Sequence, residues 1–254
     1  MNEAVFRRTL LIPTLTTVVI VVALLSLAVW QLERRTDKLA LLAKLDERLA
    51  AVPVALPSAA SWRELSPARD EFRRVTLNGV IDASQQALVF ASPSPLRKDI
   101  SGTGAWAFAP ARLAGGETVV VNRGFVADGQ KASQPVSNEP VVLTGYIRFP
   151  EAPSWLTPPA DRAKRLWFLR DHRAMAEVLG WAEAQRLAPF YVDLEGPLPP
   201  GGVPKPGPLQ VSLKNDHLQY AVTWFLLAAA VTIAFGFWLR GARGASRRVP
   251  SSSL

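Results

Sequence analysis

The chain of 254 residues has no cysteine and only two histidines, His172 and His217. The lack of cysteine excludes disulfide bonds, thiolate nucleophiles, zinc–cysteine sites and iron–sulfur ligation. Two histidines leave little scope for a multi-histidine metal site. The sequence also lacks a G-x-S-x-G nucleophile motif and a GxGxxG phosphate loop, and its acidic residues are scattered. It therefore gives no positive support for catalysis, and we do not expect an enzyme.

The composition excludes a collagen-like chain, a disulfide scaffold and a disordered acidic protein. A hydrophobic fraction of 49% is ordinary for a soluble domain. A mean hydropathy of +0.13 is less ordinary in a chain with 20% charged residues and 21 prolines. It indicates that the apolar residues are concentrated in a few segments.

Two segments hold this excess, Leu10 to Leu32 and Leu218 to Leu239, and neither contains a charged side chain. Each is longer than the roughly 20 residues that a helix needs to cross ~30 Å of hydrocarbon. The first is too long for the apolar region of about 7–15 residues in a signal peptide, and no small-x-small cleavage site follows it. We therefore predict two transmembrane helices, the first an uncleaved anchor.

The flanking cations predict the orientation. Four arginines follow the second segment, Arg240, Arg243, Arg247 and Arg248. The cations shortly before it are only Lys214 and, further back, Lys205. Cytoplasmic flanks carry the excess of Lys and Arg, so both termini are expected in the cytoplasm. The tails account for +5 of the net charge of +8 and the middle for +3, so the charge reflects topology and we do not expect nucleic-acid binding.

The predicted fold class is an α+β membrane protein in which two transmembrane helices flank an exterior, mainly antiparallel-β domain with one or two helices, for which a small barrel is one possible form. The location predicted is a bacterial inner membrane with the main domain in the periplasm. The predicted divisions are a tail at 1–9, a first span at 10–32, an α+β domain at 33–217, a second span at 218–239 and a tail at 240–254.

Within the domain, residues Thr36 to Ala51 show helical spacing that continues the first span outward and ends before Pro53. Alternating patterns then predict strands, and Asp171 and Gly180 are suitable caps for a helix from Asp171 to Leu179. The strands are predicted in the stretch 72–81 and at 87–91, 104–113, 118–122, 141–149, 165–169 and 190–194. On the fifth of these, 141–149, Tyr146 and Arg148 are expected on the more polar side.

His217 stands at the outer mouth of the second span, with Tyr220, Ala221 and Trp224 on its helical face. This set would suit an edge-on porphyrin with the imidazole as axial ligand. An interfacial belt of aromatic residues with a polar histidine is the other interpretation, and spacing alone favours it. Trp30 and Gln31 lie at the same depth of the first span and could face this histidine.

Two further residues invite a functional interpretation. Arg123 is predicted to follow a strand, where it could bind an anionic group such as a propionate, or could be a surface arginine that stabilises a turn. His172 lacks an obvious partner, and we expect it to be an exposed residue at the start of a helix.

Four stretches carry a resemblance to a known family: WQL with Arg34 and Lys38, VVVNRGFV at 119–126, GYIR with Pro150-Glu151, and NDHLQYAVTWF at 215–225. Together they resemble the SURF1 (Shy1) family of cytochrome c oxidase assembly factors, and their order and topology match across nearly the whole chain. The last stretch is the most specific. Two departures are Phe125 in place of the usual Trp and Ala28 in place of Gly.

The resemblance implies a non-enzymatic role in maturation of the catalytic subunit of a haem-copper oxidase. It implies haem a as the bound group and His217 as its iron ligand, with the catalytic subunit, a haem a synthase and the lipid membrane as partners. Tyr220 and Trp224 would then wall the pocket, and Arg123 would contact a propionate or a partner.

Two other functions stay open at this point. One is a membrane scaffold that binds the oxidase subunit and the haem a synthase without holding haem. The other is a two-span protein similar to a regulator of polysaccharide chain length, which should carry a long coiled coil between its spans.

Overall fold

The computed structural model describes residues 3–91, 97, 99–130, 139–183, 186–210 and 215–246, with side chains between residues 10 and 243. They form two compact units. Met1–Leu42 and Lys214–Leu254 make up the first, here called the helix pair, and Ala43–Leu213 the second, the sheet domain. Two long apolar helices thus flank a mainly β domain, which confirms the predicted fold class.

Helix α1 (Glu3–Ala50) and helix α4 (His217–Ser246) are the two long helices. α1 continues without a break through the predicted outward extension and ends before Pro53, as expected. The most apolar windows of the two have mean hydropathies of 2.5 and 2.0, with 0% and 6% of their residues buried. A core helix of a soluble protein would be mostly buried, so both helices have the length, composition and exposure of membrane spans. Arg247 and Arg248, which helped to predict the orientation, lie outside the described residues.

The helix pair places its least exposed residues at every third or fourth position of each helix, which is the spacing of a single helical face. Ala28, Ala221 and Ala228 are 0%, 1% and 3% exposed. Small residues let membrane helices approach closely. Ala28, where the family tends to have Gly, therefore keeps the small side chain that this buried position requires.

The described residues of the sheet domain form eight strands in the order β1-β2-β6-β8-β5-β4-β3-β7. β2 also pairs with β4, so β2, β6, β8, β5 and β4 form a closed five-stranded ring. In the same residues, two short α-helices, α2 and α3, accompany the sheet. The bounds are β1 Val54–Ala55, β2 Arg74–Ile81, β3 Ala87–Ala91, β4 Gly104–Leu113, β5 Thr118–Ala127, β6 Val141–Arg148, β7 Leu166–Trp167, β8 Leu187–Gly196, α2 Pro67–Asp70 and α3 His172–Leu179.

Several predicted elements are confirmed in place. β3 and β4 have the predicted bounds, and β2 lies within the predicted stretch 72–81. α3 is capped by Asp171, whose carboxylate accepts hydrogen bonds from two backbone amides, and by Gly180 in the left-handed conformation. β5 and β8 are longer than predicted, and they pair in parallel, although most ladders are antiparallel.

The predicted polar side of β6 is wrong. Tyr146 and Arg148 are 2% and 8% exposed. The reason lies on a neighbouring strand: β8 places Asp193, 4% exposed, opposite Tyr146 in the ladder. A buried cation is stable only where such a partner compensates its charge.

Candidate functional site

His217, at the first position of α4, contacts Gln31 of α1 within the helix pair. Its Nδ1 lies 2.8 Å from Oε1 of Gln31. An amide oxygen can only accept a hydrogen bond, so Nδ1 carries the proton and donates it. The other ring nitrogen, Nε2, is then the basic nitrogen that can bind a metal. The expectation that Gln31 could face His217 is confirmed.

Tyr220 and Trp224 follow His217 along α4 by about one and two turns. Trp224 is partly buried, and its indole Nε1 is buried without a hydrogen-bond partner among the described residues. Tyr220 is 54% exposed. The two aromatic residues therefore differ in environment: Trp224 is partly buried within the helix pair, and Tyr220 is exposed.

Arg123 lies inside β5, not after a strand end as predicted. The ladder pairs Trp106 with Phe125 and Phe108 with Asn122, so Arg123 and Gly124 together oppose one residue of β4, which is a β-bulge. Gly124 has a φ of 123°, and a Cβ there would come within 2.2 Å of the Lys205 carbonyl carbon. The glycine is required because Lys205 pairs with Phe125 through two backbone hydrogen bonds.

The side chain of Arg123 is 5% exposed, so the surface interpretation of this residue is wrong. Its guanidinium donates to Oε1 of Gln86 at 3.0 Å, and burial lowers its pKa. Arg123 lines a cavity of about 280 Å³. The other lining residues are mostly apolar: Ile81, Ala83, Glu139, Val141, Leu143, Leu194, Pro197, Leu198, Pro199 and Pro200. Arg123 thus belongs to the sheet domain, and His217, Tyr220 and Trp224 belong to the helix pair.

Residues from two of the family-like stretches meet in a buried polar network of the sheet domain. Asp193 accepts from Asn122 Nδ2 at 2.7 Å and from Arg148 at 2.9 Å. Arg148 also donates to Glu71 at 2.6 Å and lies 4.5 Å above the ring of Phe72. Both oxygens of Asp193 accept a hydrogen bond, and Arg148 donates to Glu71 through Nε and to Asp193 through Nη1. The network therefore links β5, β6 and β8, and each of its charged groups has a partner of opposite charge.

The prediction that His172 is exposed is wrong. It is 0% exposed, with Nε2 3.0 Å from the carbonyl oxygen of Ala188, and burial lowers its pKa to about 4. Its Nδ1 has no partner among the described residues. Nowhere among the described residues do three or more His, Cys, Asp or Glu side chains lie close enough together to hold a metal ion.

The family comparison covers both units. The sequence model described as "SURF1 family" matches residues 18–229, from within the first apolar segment into α4. The chain belongs to the SURF1 family. The resemblance found in the four stretches is therefore confirmed.

Individual SURF1 relatives agree with this result. Surfeit locus protein 1 of Homo sapiens is 34% identical over 236 residues, covering 86% of this chain and 75% of its own. The Xenopus tropicalis protein of that name is 33% identical over 83% of this chain and 70% of its own. The SURF1-like protein of Monosiga brevicollis is 30% identical over 84% and 82%. Membership in the SURF1 family and the strands between the spans both disfavour a chain-length regulator, which should have a coiled coil there.

Sequence reasoning missed the roles of Asp193 and Glu71. For Asp193 a signal was present, because it interrupts the apolar strand FYVDL at a position on the same face as Tyr191. A carboxylate in such a run indicates a buried charge that needs a cation. Glu71 offered no comparable pattern, since it lies outside any strand.

Proposed function

We propose that this chain is a non-enzymatic assembly factor that holds haem a for the catalytic subunit of a haem-copper cytochrome c oxidase. The observation that carries this proposal is the hydrogen bond between His217 and Gln31. Histidine ligands of metals typically donate their second ring N–H to a neighbouring group, which fixes the tautomer and the ring orientation. Gln31 provides this second partner, and the bond leaves Nε2 of His217 for iron.

The surroundings of His217 suit a haem that must later be released. His217 is the one residue expected to hold the iron, and a group held by one protein ligand would be easier to release than one held by two. Tyr220 and Trp224 would shield the haem ring, as proposed for the pocket walls. The protein would supply the imidazole, its orientation and the exclusion of water.

Arg123 is a separate part of this proposal. Its guanidinium and the apolar lining of its cavity suit a carboxylate attached to an apolar body, such as a propionate or an acidic residue of a partner. Arg123→Gln removes the charge while an amide remains beside Gln86. Reduced haem content in the folded variant would support a propionate contact, and unchanged content would exclude one.

The proposed setting is a bacterial inner membrane, with both termini in the cytoplasm, the sheet domain in the periplasm, and the oxidase catalytic subunit and a haem a synthase as partners. Arg240 and Arg243 at the end of α4 support this orientation. Since the chain has no cysteine, Ala114→Cys and Ser251→Cys each create a single thiol. A membrane-impermeant maleimide should label Ala114→Cys in intact spheroplasts and Ser251→Cys only after lysis; the reverse pattern would refute the orientation.

The test of haem binding is the absorption spectrum of the full chain purified from a host that makes haem a. We expect a haem a spectrum in the native chain, its loss in His217→Ala, and its retention in the matched variant His172→Gln. Equal haem content in native chain and His217→Ala would refute the ligand assignment. Absence of haem from both, together with co-purification of the oxidase subunit, would favour the scaffold without haem.

A further inference from the structure

The loop between β6 and β7 ends in an exposed apolar tip. Trp155 is 91% exposed and Leu156 is 69% exposed. No other large apolar side chain among the described residues is as exposed as this tryptophan. An indole gains most of its stabilising contacts by burial, so a tip of this kind contributes little to the fold on which it stands.

The tip is held in a defined turn. The Ser154 amide donates to Oγ1 of Thr157 at 2.9 Å, and the Thr157 amide donates to the Ser154 carbonyl oxygen at 3.0 Å. Prolines at 150, 153, 158 and 159 restrict the backbone on both sides. Trp155 and Leu156 are the two residues enclosed by these hydrogen bonds, so the turn presents both side chains together.

Cations follow the tip along the chain. Residues 152–160 carry no charge, and the next six contain Asp161, Arg162, Lys164 and Arg165. Backbone hydrogen bonds between Asp161 and Leu166 close a small hairpin with the three cations exposed. One carboxylate against three cations gives this segment a charge complementary to anionic lipid headgroups.

The root of the loop is fixed within the sheet domain, because the Phe149 amide donates to the carboxylate of Glu71 at 3.1 Å. The chain of the sheet domain continues at both ends into helices of transmembrane character. This double tether keeps a bilayer at a high effective concentration around the domain.

We propose that the Trp155–Leu156 tip contacts the bilayer, inserting at headgroup depth while Arg162, Lys164 and Arg165 bind anionic headgroups. Tryptophan beside an aliphatic residue is the side-chain combination favoured at that depth, and neighbouring cations add electrostatic attraction. This contact requires the membrane setting but not haem. It gives the sheet domain a third attachment to the membrane besides α1 and α4.

The test uses the full chain with Leu156→Cys, whose single thiol carries an environment-sensitive NBD fluorophore. The protein is reconstituted into phosphatidylcholine vesicles with or without phosphatidylglycerol, some containing doxyl-labelled lipid as a quencher. Ala114→Cys, at an exposed position of the β4–β5 turn, carries the same fluorophore as the matched control. We expect a blue-shifted, quenched signal at 156 and a water-like, unquenched signal at 114.

The anionic lipid should strengthen the signal at 156, and Arg162→Gln with Lys164→Gln should weaken it. Identical signals at 156 and 114 would overturn the proposal. So would a signal that stays water-like in vesicles and shifts only when purified oxidase is added, since the tip would then dock a protein. The haem spectrum of the same sample separates the two proposals, because loss of haem with retained quenching counts only against the proposed function.

Discussion

Gln31 and His217 are joined by a hydrogen bond of 2.8 Å across 186 positions of the sequence. Both residues belong to the helix pair, one at the end of the first apolar segment and one at the start of the second. The amide fixes the tautomer of the imidazole and leaves its Nε2 as the basic nitrogen. The proposed haem site therefore depends on Gln31 as well as on His217.

Gln31→Leu should weaken haem binding although His217 is retained. Without the amide oxygen, neither the tautomer nor the ring orientation is fixed, and loss of such a partner typically costs about 10- to 100-fold in affinity. Haem titration of the purified variant, followed by absorption, measures this change. Gln31→Glu should bind at least as well as the native chain, because a carboxylate also accepts from Nδ1.

Gln219→Leu is the matched control for this experiment. Gln219 lies two positions after His217 and is exposed, so the same change is made close by without touching the imidazole. Equal affinities of Gln31→Leu and Gln219→Leu would show that the hydrogen bond does not contribute to haem binding.

Arg148→Met should destabilise the sheet domain strongly. It leaves Asp193, 4% exposed, without its cation, and breaking a buried pair from one side costs about 3–5 kcal/mol. Urea unfolding in detergent, followed by tryptophan fluorescence, measures the change. Lys164→Met is the control, since it breaks an exposed pair with Asp161 and should cost about 1 kcal/mol or less. A similar small effect of both substitutions would contradict the buried network.

Gly124→Ala should separate the Lys205 segment from β5. The new Cβ would overlap the backbone of Lys205, and a φ of 123° is unfavourable for alanine. Gly129→Ala separates the two effects, because Gly129 also has a positive φ, 81°, but no atom within 4 Å of the added Cβ. Limited proteolysis should cleave Gly124→Ala faster than Gly129→Ala, and equal rates would argue against the close approach.

His172 should make the sheet domain sensitive to mild acid. Burial lowers its pKa to about 4, whereas the unfolded chain has the ordinary value near 6.5. The unfolded state therefore binds more protons between these values, and stability falls as the pH is lowered from about 6.5 towards 4. The expected loss between pH 7 and pH 5 is about 2 kcal/mol by this linkage.

His172→Gln should flatten that dependence, because an amide can still donate to the Ala188 carbonyl oxygen but does not titrate. Thermal unfolding at a series of pH values measures both proteins. The carboxylate of Asp99 does not interfere, since its hydrogen bond with Arg97 holds its pKa far below this window. An unchanged pH slope in the variant would refute the assignment to His172.

Sequence patterns correctly predicted the elements whose formation depends on residues close together in the chain. β3 and β4 follow from alternation, and α3 from its two capping residues, Asp171 and Gly180. The charge-free length of the apolar segments predicted their helices. The same depth of Gln31 and His217 in their segments was enough to suggest that they could meet.

The wrong predictions concern residues whose environment is set by a partner that is distant in the sequence. Gly124 was interpreted as ending a strand, but the chain at Lys205, 81 positions later, pairs with β5 and extends it through a bulge. Arg148 was assigned to a polar side because its partner Asp193 comes from another strand. His172 was expected at the surface because no local pattern shows that β8 covers it.

β8 is the last of the described strands in chain order, yet it lies between β6 and β5 in the ring. These two strands do not pair with each other, so the ring stays open until residues 187–196 have left the ribosome. Synthesis runs from the N-terminus, and α4 follows only some 20 residues after β8. Closure of the ring and synthesis of α4 are therefore nearly simultaneous. A nascent chain stalled before β8 would already contain α1, and the edges of β5 and β6 that pair with β8 would be exposed.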